Sequence, residues 1–226
     1  MEIFGYIFDA IMVFAPVLGY IPQYKSFEKK QSSEGFSTRV SLILLVSNIL
    51  RCIFRIGKPF ENTLLFQSIV MIIAQLVMLE ACVRLSPTSA AARRRTILQD
   101  PTSVKDFWNW TDYNSYLFFL GAFTFAILLV SGIFASPVYW EVLGTVALLT
   151  ESCLGVPQAL DNHRNGSTAG LSWALIGSWL GGDLFKTIYF IATGAPFQFL
   201  ACGVIQIVVD FIIVAQIYAS EGAQRK

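Results

Sequence analysis

Seven stretches of mostly apolar residues, each long enough to cross the hydrocarbon core of a bilayer as a helix of ~20 residues, leave this chain few alternatives. They lie at about 4–24, 36–56, 62–83, 114–134, 138–158, 170–192 and 196–218. In hydrocarbon every backbone N–H and C=O must be satisfied within the segment, so these stretches are expected to be helical. They fill most of the 226 residues, so no separate soluble domain is expected. Composition agrees, with charged residues at 14% against roughly 25% in a soluble domain. A hydrophobic share of 55% excludes a disordered chain. The 16 Lys and Arg nearly balance the 15 Asp and Glu, so no basic excess points to nucleic acid.

Metal and enzyme chemistry find little footing. His163 is the single histidine, and Cys52, Cys82, Cys153 and Cys202 are dispersed through apolar runs with no C-x-x-C pair. The cysteines read as small hydrophobes in packed helices. H-E-x-x-H, G-x-S-x-G and the phosphate-binding G-x-x-x-x-G-K-[ST] pattern are all absent from the sequence. The expectation is a protein that is not an enzyme and uses no metal, cofactor or nucleotide energy source.

Orientation follows from Lys and Arg. Twelve of the 16 fall in connections on one side: Lys25, Lys29, Lys30, Arg39, Arg84, Arg93, Arg94, Arg95, Lys105, Arg164, Arg225 and Lys226. Arg51, Arg55 and Lys58 fall on the other side, and Lys186 lies inside the sixth span. The positive-inside rule then places the N-terminus in the lumen and the C-terminus in the cytosol. The first span lacks a basic leader and a small-residue cleavage site and holds Pro16 and Pro22, so it is expected to be retained. Trp108, Trp110 and Tyr113 before the fourth span, and Tyr139 and Trp140 opening the fifth, are expected to form aromatic belts at the interfaces.

An internal repeat sets the architecture. Gly19-Tyr20-Ile21-Pro22-Gln23 matches Gly155-Val156-Pro157-Gln158, and Gly35-Phe36-Ser37 matches Gly170-Leu171-Ser172, at an offset of 135. The same offset pairs Asn48 with Asp183 and Arg51 with Lys186. Gly57-Lys58-Pro59-Phe60 resembles Gly194-Ala195-Pro196-Phe197 at 137. The repeating unit is three helices, with the fourth span as a linker. One extra span restores the direction of the second copy, so the two triplets run parallel and are expected to enclose a pathway. The expected fold class is an all-α polytopic membrane protein of seven transmembrane helices, two parallel three-helix bundles joined by a linker helix. Its expected divisions are 1–84, 85–135 and 136–226. Proline removes a backbone donor and clashes with the preceding turn, so Pro22 and Pro157 are expected to kink their helices, with Gln23 and Gln158 supplying donors to the freed carbonyls.

Charges within the spans mark the candidate site. A charge at mid-bilayer costs at least ~2.5–3.5 kcal/mol on insertion scales. Glu80, Glu151, Asp183, Lys186 and Asp210 fall within spans, with Asp9 and Arg51 nearer the lumenal ends. Gln67, Gln75, Gln206 and Gln216 add uncharged polar groups. Asp183 and Lys186, three residues apart on one helical face, are expected to neutralise each other. Arg51 has two candidate partners, Glu151 and Asp183. The candidate pathway is Asn48, Arg51, Glu151, Asp183, Lys186 and Asp210, set against structural ion pairing between helices. Gly177 and Gly181 form a G-x-x-x-G, read as a helix-packing face, with a hinge beside Asp183 as the alternative.

Tyr20-Ile21-Pro22-Gln23-Tyr24, Glu34-Gly35-Phe36-Ser37-Thr38, the run from Leu44 to Arg51, Gly155-Val156-Pro157-Gln158 and the run from Gly182 to Thr187 resemble the PQ-loop repeat family, solute carrier family 66. The resemblance spans about Val17 to Tyr218 and favours the branch of member 2, from which the segment 85–113 departs most. Other members are lysosomal amino-acid transporters such as cystinosin, and SWEET sugar transporters and KDEL receptors are kin in fold. The resemblance implies phospholipids as partners, energy-independent scrambling or transbilayer lipid balance in Golgi, trans-Golgi and endosomal membranes, and antagonism of a phospholipid flippase. It leaves two alternatives. One is a proton-coupled carrier of a small organic solute, weakened because Trp179 stands where cystinosin-like members carry an aspartate. The other is a sorting receptor using Arg51, Arg55 and Lys58.

Overall fold

The computed structural model describes residues 2–33, 38–85, 107–108, 110–165 and 173–224. All regular structure among them is helical, as apolar segments with self-satisfied backbones require. The helices are α1 (Glu2–Leu18), α2 (Tyr20–Lys30), α3 (Thr38–Gly57), α4 (Asn62–Arg84), α5 (Tyr113–Phe134), α6 (Pro137–Ser152), α7 (Val156–Asn165), α8 (Trp173–Ala192) and α9 (Phe197–Gln224). A 3₁₀ turn at Cys153–Gly155 links α6 to α7.

Five segments are long and apolar enough to cross a membrane: Gly5–Lys30, Thr38–Gly57, Asn62–Arg84, Tyr113–Phe134 and Phe197–Ser220. The other two expected spans have local reasons to fall short of that measure. α6 has only 16 residues before the 3₁₀ turn interrupts it. α8 has 20 residues, but Asp183, Lys186 and three glycines dilute its apolar content.

The repeat reappears in the helix boundaries. α4 and α9 begin at Asn62 and Phe197, 135 residues apart. α3 and α8 also end 135 apart, at Gly57 and Ala192. The offset of 137 read at the Gly-x-Pro-Phe runs is therefore a local shift of two residues in the connection, since Asn62 and Phe197 return to 135.

Each Pro-Gln pair sits just after an interruption. Pro22 lies in the first turn of α2, after Gly19 separates it from α1, and Pro157 is the second residue of α7, after the 3₁₀ turn. Proline clashes with the carbonyl four residues earlier and kinks or breaks the helix there. Those carbonyls belong to Leu18, which ends α1, and Cys153, which opens the 3₁₀ turn. The expected kink is thus a break, and proline is tolerated in the new first turn because no intrahelical acceptor awaits its N–H there. The expected glutamine donation is not seen for Gln23, whose side chain makes no hydrogen bond among the described residues. The side chains of Pro157 and Gln158, and the Gly35/Ser37 and Gly170/Ser172 helix starts, lie outside the described residues. So does the Arg93-Arg94-Arg95 cluster.

The chain divides into two compact units, Met1–Leu143 and Gly144–Lys226, the division falling inside α6. In the first, Phe27 of α2 packs on Met78, Ala81, Cys82 and Leu85 at the end of α4, with Tyr20 and Tyr24 against them. In the second, Ile176 of α8 joins Val209, Ile213 and Ile217 of α9, covered by Val156 and Ala159 of α7. Both segments that follow a Pro-Gln break therefore dock on the third helix of their own triplet.

Two aromatics expected in an interface belt point inward instead. Trp108 and Trp110 are 1% and 7% exposed and pack with Tyr116, ring centroids 4.8 and 5.1 Å from it. Trp108 Nε1 donates to Thr38 O at 2.7 Å, tying the approach to α5 onto the start of α3. Burial of that indole with a satisfied N–H outweighs its preference for the interface. α5 itself leaves Phe118, Phe125, Leu129, Ile133 and Phe134 exposed, the surface a linker helix turns to lipid.

Candidate functional site

The polar residues of the second unit converge on the facing sides of α6, α8 and α9. Helices α8 and α9 can approach there because Gly203 has no side chain. A Cβ on Gly203 would stand 2.3 Å from Thr187 Oγ1. Thr187 spends its hydroxyl on the Asp183 carbonyl one turn back, at 2.7 Å. This contact brings Asp183 and Lys186 of α8 against Gln206 and Asp210 of α9.

Lys186 Nζ donates to Glu151 Oε1 of α6 at 2.9 Å and to Gln206 Oε1 at 3.3 Å. Both side chains of the Lys186–Glu151 pair are 11% exposed. Gln206 Oε1 also accepts from Cys202 Sγ at 3.7 Å, and the same thiol reaches the Leu148 carbonyl at 3.2 Å. The expected neutralisation of Lys186 by Asp183 is therefore replaced by a pair with Glu151. The physical reason is that a side chain three residues along the same helix competes poorly with a carboxylate that α6 aims across a buried contact. Asp183 remains within electrostatic reach of Lys186 but lies beside Asp210 of α9, so two acids face each other across these helices. Asp210 is 5% exposed and its Oδ2 has no hydrogen-bond partner among the described residues.

The first unit carries a counterpart without acids at these positions. At the offset of 135, Asn48, Arg51 and Gln75 stand for Asp183, Lys186 and Asp210. Asn48 and Arg51 are 2% and 1% exposed and Gln75 is fully buried. Asn48 Nδ2 donates to the Leu44 carbonyl at 2.8 Å, and Ser41 Oγ donates to Gln75 Oε1 at 2.8 Å. Glu151 corresponds to Pro16, so this unit has no acid at that position.

The G-x-x-x-G of α8 differs from its packing expectation. Among the described residues no atom lies within 4 Å of where a Cβ would stand on Gly177, Gly181 or Gly182. No other helix packs against these glycines among the described residues. Glu80 pairs with Arg84 at 3.0 Å, and Arg84 also binds Glu28, so this acid ties α2 to the end of α4 and stays outside the buried cluster. Lys58 is engaged by Glu141, and Arg55 Nη2 donates to Asn62 Oδ1 at 2.6 Å. Gly203, Thr187 and Ser41 were not picked out by sequence reasoning. The run Ala201-Cys202-Gly203, small residues opposite Thr187, is the signal that carries the first of them.

The PQ loop repeat family pattern matches this chain twice, over residues 4–64 and 139–199. These two matches cover just over half of the chain and are themselves 135 residues apart at both ends. This chain belongs to the PQ-loop repeat family. Among curated PQ-loop relatives it is similar to Scramblase ANY1 of Saccharomyces cerevisiae, 24% identical over 281 residues, covering 93% of this chain and 69% of that one. Among solved structures it is similar to a eukaryotic SWEET transporter, with a TM-score of 0.68 at 13% identity, covering 96% of this chain and 94% of the other. The expected all-helical seven-span class is thus the fold of this PQ-loop protein, a multi-pass membrane protein.

Proposed function

We propose that this PQ-loop protein scrambles phospholipids between bilayer leaflets without an energy source. The observation that carries the reading is a cluster of charged residues, with Glu151, Lys186 and Asp210 buried and Asp183 partly exposed, inside a membrane protein similar to Scramblase ANY1 over 93% of its length. Charges are retained in a bilayer at a cost that packing alone does not repay. Here they supply what a headgroup loses when it leaves water: Lys186 and Gln206 for the phosphate, carboxylates for a cationic tip. Asn48 and Arg51 are the corresponding polar surface of the first triplet. Scrambling makes and breaks no covalent bond, so the protein is not an enzyme in this reading. The member-2 branch, the Golgi–endosomal setting, opposition to a flippase and a lumenal N-terminus belong to the same proposal, the last supported by the distribution of Lys and Arg. Purified protein in liposomes with fluorescent lipid is expected to expose the inner leaflet to dithionite. Protection equal to that of empty vesicles overturns the reading.

A second reading, a proton-coupled solute carrier, is favoured by one observation, the pair of neighbouring acids, Asp183 and Asp210, inside the spans. It expects proton-driven solute currents that Asp183→Asn abolishes. Currents that survive this substitution exclude it.

A further inference from the structure

Asp210 sits in an environment that its own unit leaves incomplete. The side chain is 5% exposed, it lies beside Asp183, and Oδ2 has no hydrogen-bond partner among the described residues. A buried acceptor without a donor is a cost that native structures rarely carry without a use. Charge points the same way. Asp183 and Asp210 are two neighbouring acids, and the ammonium beside them, Lys186, is bound to Glu151 and Gln206. A positively charged donor is what two adjacent acids with an open oxygen would take. The matching position in the first unit lacks nothing of the kind, because Gln75 Oε1 receives the Ser41 hydroxyl and Asn48 is satisfied by Leu44. Access exists as well. Asp183 is partly exposed.

We propose that Asp183 and Asp210 form a binding site for a primary ammonium group, that of an ethanolamine or serine phospholipid headgroup. The N–H bonds decide the class. A primary ammonium can donate to Asp183 and to Asp210 Oδ2 together, whereas the quaternary nitrogen of choline has no hydrogen to give and leaves Oδ2 bare. A site built to hydrogen-bond a group discriminates strongly against the analogue that lacks it. Free amino acids and amines present the same group, so the chemistry of the site does not depend on its source. In assigning a lipid, the inference rests on the scrambling reading above.

The test uses the full chain in liposomes with acyl-labelled phosphatidylethanolamine, its N-methyl and N,N-dimethyl forms, and phosphatidylcholine. The scrambling rate is expected to fall along this series as N–H bonds are lost, by about tenfold from first to last. Asp210→Asn is expected to flatten the series. The wild-type series makes the test independent of whether that variant folds. Equal wild-type rates along the series overturn the ammonium site and leave the scrambling reading standing. Uptake of labelled ethanolamine or lysine by the same vesicles with no lipid movement upholds the site and overturns scrambling. Movement of neither overturns both.

Discussion

Lys186 shows how a single buried charge is held. Its ammonium is shared between Glu151 and Gln206, with the ion pair spanning α6 and α8 and the amide coming from α9. Removing one partner of a buried pair strands the other, at a cost of about 3–5 kcal/mol. Lys186→Met and Glu151→Leu are each expected to lower stability by that amount. The double variant should lose much less than the sum, since no stranded charge remains. Thermal unfolding in detergent, run as a double-mutant cycle, measures this. Gly203 is the second decisive residue. Gly203→Ala places a Cβ on Thr187 Oγ1 and is expected to destabilise by about 1–3 kcal/mol. Adding Thr187→Ala should recover most of the loss. Equal melting points for the single and double variants would show that the two residues are not coupled. The charges themselves were legible in the sequence. Their pairing was not, because Asp183 and Lys186 are neighbours along one helix, whereas Glu151 reaches Lys186 only through folding.

The helices break where covalent geometry demands it. Each proline of the Pro-Gln pairs lies four residues after the edge of an interruption, Leu18 as the last residue of α1 in one copy and Cys153 as the first of the 3₁₀ turn in the other. Replacing Pro22 by Ala restores the missing N–H and removes the clash, so α1 and α2 are expected to fuse through Gly19. Hydrogen exchange is then expected to slow at the amides from Tyr20 to Gln23, by an amount that reports local opening. Unchanged exchange there would mean that Gly19 and the docking of Phe27 hold the break without the proline. The existence of the break was readable from residue type. Its form, a restart with proline in the first turn, was not, since a kink and a restart share one sequence pattern. The inward turn of Trp108 is a similar case. An indole next to a span reads as an interface anchor until Tyr116 and the Thr38 carbonyl are seen around it.

Across the whole molecule, two triplets of one ancestry have diverged in charge. The offset of 135 sets Gln75 opposite Asp210 and Asn48 opposite Asp183, amide against acid in both pairs. At these positions the first triplet bonds Gln75 Oε1 and Asn48 Nδ2 internally, while the second leaves Asp210 Oδ2 open. Gln75→Ala removes the acceptor for the Ser41 hydroxyl and is expected to cost about 1–3 kcal/mol in detergent melts. Headgroup preference should stay as in wild type, because the open acceptor belongs to the other triplet. A change in preference without a change in melting point would reverse these assignments.

Amino-acid order alone determined the helical class, the approximate spans, the two-fold repeat and the set of buried charges. Each of these follows from quantities that accumulate along the chain: apolar length, residue spacing and the cost of placing charge in hydrocarbon. Folding decided which charge meets which, where α8 and α9 come closest, and that Asp210 keeps an open oxygen. Those outcomes depend on side chains far apart in the chain, such as Glu151 and Lys186 or Thr187 and Gly203. No local pattern encodes a distance between two helices, because that distance is set by what both of them place at the crossing.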